Sequence, residues 1–176
     1  MVDVNGGKLV LHDGMIKEHG SRYGGGVSIS NGTFIMNGGS IKGNNSGEMG
    51  GGIYLINNSK FTMNNGTISS NTAGTTGGAL FTGLGSTFTM NGGEIVDNIA
   101  NNGSGGGVKF DLNTGDCTIN NGLIARNKSS LSGGGIGIHQ YCSTITYNGG
   151  NIEDNTPNNV GDDYSHFVNK SGLPNP

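Results

Sequence analysis

The sequence is poor in most of what builds an ordinary globular domain. Lys, Arg, Asp and Glu make up only 12% of its 176 residues, and hydrophobic residues only 31%. A formal charge of -3 leaves no basic field for nucleic acid or an anionic membrane surface. Three prolines and no Gly-X-Y period exclude a collagen triple helix. No run of about 18 apolar residues is present to span a bilayer as a helix. Two cysteines are too few for a disulfide scaffold, and they lack a C-x-x-C metal-ligand spacing. Residues 1–7 carry neither the basic start nor the apolar stretch of a secretory signal peptide.

What is abundant is glycine, 37 residues against a usual share of roughly 7%. Its placement is periodic. Ile16, Ile41, Ile68, Ile95, Ile124 and Ile152 recur at spacings of 25, 27, 27, 29 and 28 residues. Seven positions before each stands Leu9, Phe34, Phe61, Phe88, Cys117 or Ile145, followed two residues later by Leu11, Met36, Met63, Met90, Ile119 or Tyr147. That alternation is a strand with one buried face. A third series, Val27, Ile53, Ala79, Val108, Ile136 and Tyr164, follows small-residue triplets such as Gly24-Gly25-Gly26 and Thr76-Gly77-Gly78. In the sixth copy the triplet position reads Gly161-Asp162-Asp163. Three short strands per repeat bury too little alone, so the repeats must stack. The pattern predicts an all-β fold, a three-sided parallel β-helix of about six coils and roughly 29 Å. The bias of parallel crossovers makes it right-handed. The repeats fill residues 1–167 as one domain, and 168–176 read as a tail or cap.

Two polar columns share this register. Asn37, Asn64, Asn91, Asn120 and Asn148 follow the first strands, with His12 in the first copy. Asn44, Asn71, Asn98, Asn127 and Asn155 stand three residues past each anchor Ile, with His19 in the first copy. An Asn amide carries both donor and acceptor, so each column is expected to form a hydrogen-bonded ladder and to supply left-handed bends. The two His residues end the ladders rather than bind metal, and no metal site or cofactor is expected. Cys117 and Cys142, with Cα atoms expected roughly 10 Å apart by stacking, are expected to stay reduced.

Phe34-Ile35-Met36-Asn37, Phe61-Thr62-Met63-Asn64 and Phe88-Thr89-Met90-Asn91 read F-x-x-N and alternate with Gly-Gly-Ala-Leu at 77–80 or Gly-Gly-Ile and Gly-Gly-Val elsewhere. This alternation resembles the repeats of polymorphic outer-membrane proteins and of bacterial and archaeal adhesin-like surface proteins, over residues 5 to about 167. The resemblance implies a right-handed parallel β-helix in a secreted or surface-anchored protein, with attachment as its role.

Parallel β-helices also carry polysaccharide-cleaving enzymes, and Gly161-Asp162-Asp163 resembles one segment of polygalacturonase-type glycoside hydrolases. Paired carboxylates suit acid and base roles at a glycosidic bond. No His-Gly or Arg-x-Lys motif follows, however, and the inter-strand connections are short for building a cleft. Asp162 and Asp163 are therefore read as polar residues of a terminal repeat, and a calcium site from Asp154, Asp162 and Asp163 is weighed the same way. Outward Thr62 and Thr89 belong to a threonine array similar to that of ice-binding proteins, interrupted by Lys8, Lys60 and Asp116; strand propensity explains it more simply. Tyr54 and Leu80, read as exposed on adjacent coils, form a candidate patch for a sugar or protein. The expected function is a non-enzymatic adhesin-like segment binding a glycan or protein. The alternatives are a polysaccharide-active enzyme and a stoichiometric protein-binding inhibitor or mimic. Open solenoid ends expose strand edges, so continuation into a longer rod or end-to-end self-association is also expected.

Overall fold

A computed structural model describes residues 1–162 and 167–168, with side chains through residue 161. The chain is a β-solenoid of about six stacked turns with every strand pairing parallel. The six anchor isoleucines lie in one six-stranded sheet, from Met15–Lys17 to Asn151–Glu153. The other two expected faces merge into a single 12-stranded sheet. They join because β1 (Val2–Leu11) and the next coil's Val27–Met36 each run through the corner without breaking.

One feature departs from three strands per coil. A five-stranded sheet of two-residue strands, including Asn45–Ser46, Thr72–Ala73 and Ile99–Ala100, adds a short fourth side. Its inward positions hold small Ser46, Ala73, Ala100 and Ser129, all buried, so it lacks the large apolar residues that mark the other faces. The bend leading into it falls one residue before the buried Asn. Ser70, Asp97, Arg126 and Asp154 take the left-handed conformation there, at φ 54–59°. The Asn side chain holds the bend from next door instead of forming it.

The third copy is shifted by one residue from the expected register. Leu80, not Ala79, pairs with Ile53 and Val108, which makes Gly77-Gly78-Ala79 the equivalent of Gly50-Gly51-Gly52. A one-residue slip exchanges the two faces of a strand. Leu80 therefore lies in the core, fully buried, and Phe81 takes the outward position. In the last coil, Val160, Gly161 and Asp162 pair with Ile136, Gly137 and Ile138. Gly161-Asp162 thus belongs to a strand and not to a glycine corner, and Tyr164 lies outside the described residues. At a true corner, Gly50 has φ +67°, and a Cβ on Gly51 would stand 2.6 Å from the Thr72 carbonyl oxygen. Only glycine allows that positive φ and backbone approach without strain.

The core is a set of stacked columns. Phe34, Phe61 and Phe88 lie ring on ring, with centroids 4.8 and 5.1 Å apart. Where the column reaches Cys117, the smaller side chain is accompanied by Phe110 in the preceding strand of the same coil. Its ring stands 6.5 Å from that of Phe88. One coil earlier the pairing is reversed, with Thr82 inward beside the large Phe88. Large and small residues exchange places between neighbouring columns, as close packing of a narrow interior requires.

Candidate functional site

Both asparagine columns are hydrogen-bonded ladders. The first is exposed: Nδ2 of Asn64, Asn91, Asn120 and Asn148 donates to Oδ1 of the Asn one coil earlier at 2.7–2.8 Å. It reaches His12 Nδ1, 3.3 Å from Asn37 Nδ2. The second is buried and runs the other way, with Nδ2 of Asn44, Asn71, Asn98 and Asn127 donating to the next coil's Asn Oδ1 at 2.9–3.0 Å. The same oxygen accepts the backbone N–H of the earlier Asn, and each Nδ2 also donates to an anchor isoleucine carbonyl of the coil before. These residues build and rigidify the rod.

On the outer surface, segments before several glycine corners lie as arms over the third face. Tyr23, immediately before Gly24, stacks on Tyr54 of the next coil at 5.0 Å. Tyr54 stacks on Phe81 at 5.2 Å. Farther along, Ser104 covers Gly137, where an added Cβ would lie 2.9 Å from the serine's Cβ. Lys109 is likewise buried, and its Nζ donates to Ser104 Oγ at 2.9 Å. The arms help explain why this face is less open than the exposed Tyr54 and Leu80 expected from the sequence.

At the arm's outer edge the aromatic stack meets charge. Arg22 Nε donates to Glu48 Oε1 and Tyr23 Oη donates to Glu48 Oε2, both at 2.7 Å. The Arg22 guanidinium also lies 5.2 Å above the Tyr23 ring. The hydrogen bonds from Tyr23 and Arg22 hold the Glu48 carboxyl below its ordinary range. Its acceptance of the phenol hydrogen raises the Tyr23 pKa, while partial burial raises that of Tyr54. At neutral pH the cluster therefore presents one carboxylate, one guanidinium and two protonated phenols. Both faces of the Tyr54 ring are occupied, so a ligand can meet only its edge and hydroxyl. The cluster offers charge-assisted hydrogen bonds more readily than sugar stacking.

The remaining candidates are separated. Leu80 is removed from the surface patch by its burial. Thr62 and Thr89 are neighbours in a half-buried outward column that continues through Thr118 and Thr146. Exposed Lys60 and Asp116 flank it. Asp162 lies in register with Ile138, and Asp163 falls outside the described residues. Asp154 is exposed on a left-handed bend. Among the described residues no three His, Cys, Asp or Glu side chains converge and no concave pocket opens. The repeat pattern does not mark Arg22, Tyr23 and Glu48. The signal available was their position just before the glycine corners, which places them on arms instead of strands. No protein-family model matches the chain, nor does any curated protein or solved structure.

Proposed function

We propose that the chain is a rigid, non-enzymatic β-solenoid module of an adhesin-like surface protein, holding a glycan or protein ligand at the edge of the Arg22–Tyr23–Glu48–Tyr54 cluster. The observation that carries this reading is the cluster itself. It joins a paired carboxylate and guanidinium to half-buried aromatic rings on the outside of a stiff rod. Tyr and Arg on a rigid support are the residue types that dominate recognition surfaces, because little conformational freedom is lost on binding. The resemblance of the F-x-x-N repeats to those of adhesin-like proteins points the same way.

The test is a glycan-array screen of the purified chain, scored for retention and for cleavage of the same glycans, followed by Arg22→Ala and Tyr54→Ala variants. Specific retention without cleavage is expected, with at least about a tenfold loss of affinity in either variant, the change that 1.4 kcal/mol produces. Turnover of a retained glycan would refute the non-enzymatic reading. Retention untouched by both variants would refute the assigned cluster.

A further inference from the structure

The first described coil is less covered than the coils that follow it. At the C-terminal end the buried ladder closes within the chain, because Asn159 Oδ1 accepts both the N–H and Nδ2 of Asn155 at 3.1 and 3.0 Å. At the N-terminal end Val2, Val4, Leu9, Leu11 and Ile16 pack on the core but remain half-buried. Their counterparts one coil later, Val27, Ile29, Phe34, Met36 and Ile41, are 0% exposed. The missing cover lies along β1, a ten-residue edge strand. An apolar edge of this length is a template for another strand.

The backbone of β1 specifies which strand fits. Val2 N–H donates to the Gly26 carbonyl, and the Leu11 carbonyl accepts from Asn37 N–H, so both residues direct their peptide groups into the second coil. Alternation along each half then sends Val4 and Leu9 the same way. Asp3, Asn5, Lys8 and Val10 point their peptide groups to the open edge. The change of phase falls at Gly6 and Gly7, whose φ values are +67° and +118°.

We infer that β1 pairs antiparallel with β1 of a second copy, across a two-fold axis at Gly6 and Gly7, joining two rods head to head. In this register Asp3 lies opposite Val10 of the second copy and Asn5 opposite Lys8. Every open-edge residue therefore meets an open-edge residue and can exchange both backbone hydrogen bonds with it. Val2 falls opposite Leu11 and Val4 opposite Leu9, which sets inward side chains on inward side chains and covers the inward residues of β1. On the outer surface Lys8 stands diagonal to Asp3 of the second copy, within reach of a long side chain, and symmetry repeats the pair. Neither Asp3 nor Lys8 forms an ion pair within the chain among the described residues. The strand is self-complementary in hydrogen bonding, apolar pattern and charge. An isologous contact of this kind closes at two copies.

Sedimentation velocity over a broad concentration series, with single and double charge variants, tests the contact. The expected result is a monomer–dimer equilibrium with no larger species. Lys8→Asp, at an exposed position, should weaken the dimer about tenfold by replacing two attractive pairs with repulsive ones. Adding Asp3→Lys to it should restore the parent affinity. A monomer at every concentration up to about 1 mM, the weak end of the affinity scale, would overturn the inference. So would growth into longer species, which indicates head-to-tail stacking, or a dimer indifferent to both variants.

Discussion

Replacing one buried ladder asparagine separates the structural role of the two columns. Asn71 is 0% exposed. Its Nδ2 donates to the Ile41 carbonyl and to Asn98 Oδ1, each at 3.0 Å, and its Oδ1 accepts from Asn44 N and Asn44 Nδ2, each at 2.9 Å. Asn71→Ala removes all of these and leaves the Asn44 N–H buried without its partner. At about 1 kcal/mol for each of the other three bonds and 1–3 kcal/mol for the stranded buried donor, the cost is roughly 4–6 kcal/mol. For a chain of this size that corresponds to a fall in melting temperature on the order of 10–20 °C. Asn64→Ala removes rungs of the exposed ladder, where water replaces the partners, and should cost about 1 kcal/mol or less. Ser69→Ala removes a hydroxyl with no side-chain hydrogen bond among the described residues, and should stay within about 0.5 kcal/mol. Thermal and urea denaturation of the three variants side by side gives the ranking. Equal losses for Asn71→Ala and Ser69→Ala would refute the buried ladder as a source of stability. Equal losses for Asn71→Ala and Asn64→Ala would refute burial as the reason for the difference.

Two further outcomes follow from local environment. Burial pushes the Cys117 thiol up to about 12, so at pH 8 its thiolate population is on the order of 1,000-fold below that of an ordinary cysteine. Alkylation of Cys117 in the native protein should therefore be at least that much slower than in denaturant, and comparable native and denatured rates would contradict the packing. The Glu48 carboxyl is held low in the folded state by Tyr23 and Arg22. Its stabilising effect is complete above the unfolded value of about 4.3 and is lost as pH falls through the folded value. The difference in melting temperature between the parent and Glu48→Gln should accordingly shrink on acidification below about pH 4.3. A difference constant from pH 7 to strong acid would remove Glu48 from the acid response.

Periodicity made the coil legible because each inward column repeats one residue type at a nearly fixed interval. The six anchor isoleucines and the Phe34, Phe61 and Phe88 column stand where their spacing predicts. The register failed at Leu80 because Ala79 replaces the third corner glycine, and alignment on Thr76-Gly77-Gly78 moved the strand by one residue. The short fourth sheet went unread because its inward residues are serine and alanine, which carry no hydrophobic period. The Tyr23–Tyr54–Phe81 stack depends on arms folding over a neighbouring coil. That is contact at long sequence separation, and no period within one repeat encodes it.

The buried ladder is satisfied in the first and last described coils alike, so what distinguishes the N-terminal coil is apolar surface and backbone edge. Each interior rung is held from both sides, by an isoleucine carbonyl behind and an asparagine oxygen ahead. Stability therefore resides in the interfaces between coils more than in any single coil. At the C-terminal side Asn159 supplies the oxygen that the next coil's Asn supplies elsewhere. At the N-terminal side Asn44 Nδ2 donates back to the Ile16 carbonyl, and His19 N–H donates to Asn44 Oδ1, so the ladder itself is also complete there. What remains uncovered at that end is apolar surface and the strand edge of β1. Those are the two features that a second strand satisfies together, whereas an isolated side-chain cap would satisfy only one.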